Sequence, residues 1–277
     1  MFKVGLSTTD KEISAELLEQ YAVAGMNYME ISTDYEIYNN YDWHNFKKQA
    51  DSLGVNIYSF HLPFKPFEIL DMSSADKEKR QHSMKYYVEL IKRISSIGIN
   101  KFILHSGGKV TRKSQDEVDE RIKYAKESYA FLADAAYIEG SVIAVENLPP
   151  VCVGTSIKEV KELISASPHL GVCFDTNHLL SGDAEDFIRA LGDKIIATHI
   201  SDYDKITEKH WMPGEGVNNW NNIYNALKDV GYSGVWMYEV GFETCRPGIE
   251  RKRLLTCADF LRNAEEISSG KKPGIII

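Results

Sequence analysis

Residues 141–147 read Ser141-Val142-Ile143-Ala144-Val145-Glu146-Asn147. Four apolar residues in a row suit a strand buried on both faces, and the run is too short for a helix. It stops abruptly at a carboxylate. Upstream, Ser114 to Glu139 carries Val118, Ile122, Ala125, Tyr129 and Leu132 on one helical stripe. Gly140 then closes that helix just before the strand.

The same unit recurs along the chain. Strands are expected to begin near Val4, Tyr28, Asn56, Lys101, Ser141, Leu170, Ile195 and Val235. A second clear helix covers Ala75 to Ile97, and Gly25, Gly54, Gly98 and Gly231 end helical stretches ahead of the next strand. Eight β-then-α units in order predict an α/β fold, a (β/α)₈ TIM barrel. The 277 residues match one such domain over 1–277, since these barrels commonly take about 250. The alternative, a doubly wound open sheet, usually opens on a Gly-rich first turn, whereas here that turn is Leu6-Ser7-Thr8-Thr9-Asp10. Ser268-Ser269-Gly270-Lys271-Lys272-Pro273 reads as a loose C-terminus.

The strand ends are polar in a consistent way. They finish at Glu30, His61, His105, Glu146-Asn147, Asp175, His199 and Glu239. In a barrel these ends share one rim, where active sites sit. Neighbouring strands lie about 4.8 Å apart, so side chains from adjacent ends can converge on one ion. A single polar strand end is ordinarily solvated or caps a helix; seven of them imply a site, because buried carboxylates need a partner. Glu146, Asp175, His199 and Glu239 come from four consecutive strands and form an oxygen-rich ligand set. It suits one divalent metal ion, Mn, Mg, Co or Zn. His61 and His105 end strands and are expected to contact substrate or hold a second metal. Glu30 reads equally well as a site residue or a structural one.

Composition narrows the partners. The net charge is −8, which argues against a bulk nucleic-acid surface. The apolar runs fall short of a membrane span, and the first residues do not resemble a secretory signal. Cys152, Cys173, Cys245 and Cys257 form no C-x-x-C pair, so free thiols and a cytoplasmic, soluble protein are expected.

The segment Gly171-Val172-Cys173-Phe174-Asp175-Thr176-Asn177-His178 resembles the D-x-x-H motif of the xylose isomerase-like barrel superfamily. So do His199-Ile200-Ser201-Asp202, the run from His210-Trp211-Met212-Pro213-Gly214 to Trp220, Phe60-His61-Leu62-Pro63, Glu146-Asn147 and Glu239. The resemblance covers nearly the whole chain. It implies a sugar or sugar phosphate isomerase or epimerase working through a metal-stabilised ene-diolate. Glu146 and Glu239 then shuttle the proton and His178 binds substrate. The superfamily also includes inosose dehydratases and the endonuclease IV-like AP endonucleases, which cleave phosphodiesters with three zinc ions. That pattern implies additional Zn at His61/His105 and at His178/His210, but Glu208 stands where that family has aspartate.

His210 and Trp211 are further expected substrate contacts, with Phe60, Phe64, Phe67 and Trp211 as an apolar wall, although Phe60 reads equally well as core packing. Lys65, Lys109, Arg112 and Arg246 are candidate phosphate contacts. A homodimer is suggested only by relatives.

Overall fold

The computed structural model describes residues 1–112 and 114–277. Eight parallel strands form one sheet: β1 (Lys3–Ser7), β2 (Tyr28–Ile31), β3 (Asn56–His61), β4 (Lys101–His105), β5 (Val142–Glu146), β6 (Leu170–Asp175), β7 (Ile195–His199) and β8 (Val235–Tyr238). Their order is β7-β6-β5-β4-β3-β2-β1-β8. The two ends of this row meet just past β7. Ile200 bridges Tyr238, the Ile200 N–H donates to Met237 O at 2.8 Å, and the Glu239 N–H donates to Ile200 O at 3.1 Å. The sheet therefore curls into a nearly closed (β/α)₈ barrel, and the open doubly wound sheet is excluded.

Helices follow every strand: α1 (Ala15–Ala24), α2 (Tyr35–Asn40), α3 (Trp43–Ser52), α4 (Lys77–Ser95), α5 (Gln115–Ile138), α6 (Ile157–Ile164), α7 (Ala184–Leu191), α8 (Trp220–Asp229) and α9 (Cys257–Ser268). Polar caps start them as the sequence patterns require. Ser114 Oγ accepts from the Glu117 N–H at 3.2 Å, and Asp76 Oδ1 accepts from the Glu78 N–H at 2.9 Å. Gly140 ends the α5 stretch at φ 68°, a left-handed conformation that glycine adopts without strain.

Side chains alternate across each strand, and this decides what reaches the rim. On β5, Ile143 and Val145 face the helix layer and share its core with Ala125, Tyr129 and Leu132. Each such buried side chain stabilises the fold by about 1.5–3 kcal/mol. Ile103, Ala144, Cys173 and Ala197 form a separate small cluster in the barrel interior. The lumen there is narrow: a Cβ on Gly171 would stand 2.4 Å from Ile196 Cδ1. Two residues further along the same four strands come His105, Glu146, Asp175 and His199. Period two thus turns four interior packing positions into four inward-facing polar positions one layer higher.

Three details differ from the sequence reading. β2 continues through Ile31, so Glu30 lies inside it, and β8 stops at Tyr238, one residue before Glu239. The C-terminus is packed rather than loose: Pro273 and Ile276 are buried, and Arg251 Nε donates to Ile276 O at 3.3 Å. The four cysteines are free, all but Cys245 buried. No helix among the described residues is long and apolar enough to cross a membrane.

Candidate metal centre

Register brings the rim residues level. His105 pairs with Glu146 across β4 and β5, and Asp175 pairs with His199 across β6 and β7. Glu146 sits between two groups. Its Oε1 lies 2.7 Å from His199 Nδ1; its Oε2 lies 3.0 Å from His105 Nε2 and 3.3 Å from His61 Nε2. His199 Nδ1 is also 3.3 Å from Glu239 Oε2 and 3.6 Å from Asp175 Oδ2. Glu146, Asp175, His199 and Glu239 are all buried, with their ligand atoms within 4.8 Å of one another. His61, His105 and Glu146 form a second such group, and His178, Glu208 and His210 a third.

The quoted motifs build this arrangement. Asn147 clamps the backbone of Asp175, its amide donating to Asp175 O at 2.9 Å while its carbonyl accepts the Asp175 N–H at 2.8 Å. Thr176 Oγ1 donates to Ser201 O at 2.7 Å and ties the ends of β6 and β7 together. Asn177 Oδ1 accepts the Lys209 N–H at 3.0 Å, which draws the loop bearing Glu208 and His210 over the rim. Asp202 holds the rest of that loop: its carboxylate accepts from the N–H groups of Tyr203, Gly214, Gly216 and Asn218 and from Trp220 Nε1.

Backbone carbonyls orient three histidines. A carbonyl only accepts, so Nδ1 carries the proton in His61 (to Leu62 O, 2.8 Å), His178 (to Asn147 O, 2.9 Å) and His210 (to Glu239 O, 3.1 Å). Each presents Nε2 to the site. His210 Nε2 lies 2.8 Å and His178 Nε2 3.5 Å from Glu208 Oε1. Glu30, the seventh strand-end residue, stands behind His199, its Oε1 2.9 Å from Nε2.

The electrostatics are those of an acidic site lacking a counter-charge. Burial alone would raise Glu146, but His199 and His105 hold it well below the carboxylate range. Burial would likewise lower His178 and His210, yet the carboxylates around them push these up to about 10 and about 9. Hydrogen bonds from those two histidines depress Glu208 strongly. His105 moves the other way, because its burial outweighs Glu146. Asp175 Oδ2 and Glu239 Oε2 are buried with no hydrogen-bond partner among the described residues. Two orphaned carboxylate oxygens aimed into a shared space fit a bound cation. Cys173 lies beneath, its thiol kept protonated by burial.

Above the floor opens a cleft of about 810 Å³. Glu146, Glu239, His105, His178, Glu208 and His210 face it, walled by Phe64, Phe67, Leu148 and Val151. Phe64 stacks on His105 with ring centroids 3.9 Å apart. Some expected contacts lie elsewhere. His61 is 1% exposed, behind Glu146. Trp211 is buried outside the cleft lining, its backbone paired with Asp202 and its ring beside Lys209 and Arg246. The ring expected to contact substrate therefore packs beside that loop and is not among the residues that line the cleft. Phe60 packs in the core against Tyr38, Trp43 and Phe102. Arg112 is held by Glu159, and Arg246 by Glu215 O, whereas Lys65 and Lys109 line the cleft. Thr9 and Lys11 also line it, with Thr9 Oγ1 donating to Glu239 Oε1 at 3.1 Å. Neither residue carried a sequence signal.

Fold and rim together define a (β/α)₈ barrel with clustered histidine and carboxylate side chains at the C-terminal ends of its strands. The chain belongs to the xylose isomerase-like TIM barrel family, whose model matches residues 18–263. A probable endonuclease 4 of Thermoplasma acidophilum is 25% identical over 202 residues, 66% of this chain and 66% of that protein. The chain thus spans just under two thirds of that relative's length. Among solved structures, a D-tagatose 3-epimerase-like protein superposes with TM-score 0.76 at 21% identity, covering 87% of this chain and 91% of that one. An L-ribulose 3-epimerase gives 0.72 at 20%, covering 88% and 82%. These structural likenesses establish the fold. The named relatives and neighbours are described as enzymes or enzyme-like.

Proposed function

We propose that the protein is a divalent-metal-dependent sugar or sugar phosphate isomerase or epimerase. The observation that carries this reading is the pairing of Glu146 and Glu239 on the floor of a walled cleft of small-molecule size. Glu146, Asp175, His199 and Glu239 would hold the ion. When bound, the ion supplies Lewis-acid stabilisation of negative charge developing on neighbouring substrate oxygens. Glu239, whose carboxylate has a second oxygen besides the one that would face the ion, would take a proton from the carbon next to a carbonyl. The electron pair of that C–H bond becomes the carbon–carbon double bond of an ene-diol. In an isomerase the proton on Glu239 would return to the neighbouring carbon; in an epimerase Glu146 would pass a proton taken up from solvent to the opposite face of the same carbon, while Glu239 releases its own proton to solvent. His105, His178 and His210 are placed to bind hydroxyls, and Phe64 and Phe67 exclude water.

The test is proton exchange. Chelated protein reloaded with Mn²⁺ or Co²⁺ is incubated in D₂O with ketopentoses, ketohexoses and their phosphates. Deuterium entering the substrate only in the reloaded sample is the expected result; no exchange across that panel overturns the reading.

One observation favours a second reading. Glu146 joins His61 and His105 to the four-ligand group, and His178, Glu208 and His210 form a third group, so the rim has donors for three ions. That supports a phosphodiesterase of the endonuclease IV type. Asp10, Glu12 and Asp34 at the cleft mouth oppose a phosphate backbone. Three metals per chain together with nicking of abasic-site DNA would establish this alternative over the first.

A further inference from the structure

His199 differs from the other rim histidines. His61, His178 and His210 each donate Nδ1–H to a backbone carbonyl and present Nε2. His199 turns Nδ1 toward Glu146, Asp175 and Glu239 and points Nε2 away from them, down at Glu30. Both residues are buried, at 0% and 1% exposure. Glu30 Oε1 is 2.9 Å from Nε2, an ion-pair contact without hydrogen-bond alignment, and neither atom has a hydrogen-bond partner among the described residues. The other oxygen, Oε2, is pinned by Ser59 Oγ at 2.7 Å.

This geometry has one chemical consequence. A ring that gives its Nδ1 lone pair to a cation must carry its proton on Nε2. A buried N–H needs an acceptor, and Glu30 Oε1 is the acceptor in reach. We infer that Glu30 is a positioning residue for the metal centre: it fixes His199 as an Nδ1 ligand and so strengthens the four-ligand group. A carboxylate behind an imidazole increases its donor strength more than a carbonyl does. Ser59 supports Glu30 from the far side. The inference rests on the metal centre proposed above, and holds whichever substrate that centre serves.

The experiment measures metal affinity, not turnover. Chelated full-length protein is titrated with Co²⁺, following its visible absorption, in wild type, Glu30→Gln and Ser59→Ala. Circular dichroism and melting of the chelated variants establish that they fold. Glu30→Gln keeps the shape and removes the charge, so the first Co²⁺ is expected to bind 10- to 100-fold more weakly, on the scale of about 10–100-fold for such outer partners. Ser59→Ala is expected to lose a smaller factor. In the Zn²⁺-loaded protein, ¹⁵N spectra are expected to show His199 protonated on Nε2. Wild-type affinity in both variants, or a His199 protonated on Nδ1, overturns the role of Glu30 while leaving the metal centre standing. A wild-type protein that binds no Co²⁺ overturns the metal centre itself and this inference with it.

Discussion

At the scale of single residues, the two glutamates are not equivalent. Both oxygens of Glu146 are engaged, Oε1 by His199 and Oε2 by His61 and His105. Glu239 has one oxygen held by Thr9 and the other with no hydrogen-bond partner among the described residues. Positioned proton transfer contributes about 10²–10⁴-fold to a rate. Glu239→Gln, assayed at saturating metal, is therefore expected to slow exchange of substrate hydrogen by about 10²-fold or more. Thr9→Val is expected to slow it less, since it removes only the hydrogen bond that orients Glu239. Equal exchange rates in wild type and Glu239→Gln would assign the proton to another base. A KM change without a kcat change would reduce Glu239 to a binding role.

At the scale of elements, the loop between β7 and α8 delivers Glu208 and His210, and Asp202 organises it. The 0% exposed carboxylate accepts five N–H groups, and a Cβ on Gly216 would stand 2.3 Å from Asp202 Oδ1 and from Tyr203 O. Losing a buried acceptor costs about 1–3 kcal/mol for each donor left unpaired. Asp202→Ala is thus expected to lower stability by at least about 3 kcal/mol, read as a shifted urea midpoint. Gly216→Ala should also destabilise, since Tyr203 O is backbone and cannot move aside like a flexible side chain. An unchanged midpoint in both would remove the hub. The same elements show what sequence can carry. Each strand start was legible to within a residue, because short apolar runs and helix-ending glycines are local signals. The polar strand ends were legible because each apolar run stops at a carboxylate or an imidazole. The place of Glu30 behind His199, the five donors on Asp202 and the burial of Ile276 depend on contacts far apart in the chain. The side of the loop on which the Trp211 ring packs is not legible either, because an aromatic ring in a loop looks the same in sequence whether it faces a cleft or packs outside it.

At the scale of the whole molecule, the barrel concentrates Glu30, Glu146, Asp175, Glu239 and Glu208 at one end, and His178 and His210 answer these carboxylates by holding protons. A histidine whose folded-state pKa exceeds the ordinary value of 6.5 stabilises the fold fully below pH 6.5. That contribution fades as pH rises through the folded value, about 10 for His178 and about 9 for His210. Chelated protein should therefore lose stability as pH climbs from 6.5 toward 9. A bound cation takes the place of those protons and requires neutral imidazole, so loaded protein should lose far less over the same range. At a metal concentration of about 1,000 Kd the ion adds about 4 kcal/mol, equivalent to roughly 10 °C in Tm for a chain of this size. Melting curves with and without Mn²⁺, taken at intervals from pH 6.5 to 8.5, should show a Tm gap that widens with pH. A gap that stays constant or narrows would mean that the histidines hold their protons whether or not a cation is present. No gap at any pH would make the rim a buried ion-pair network and not a metal centre.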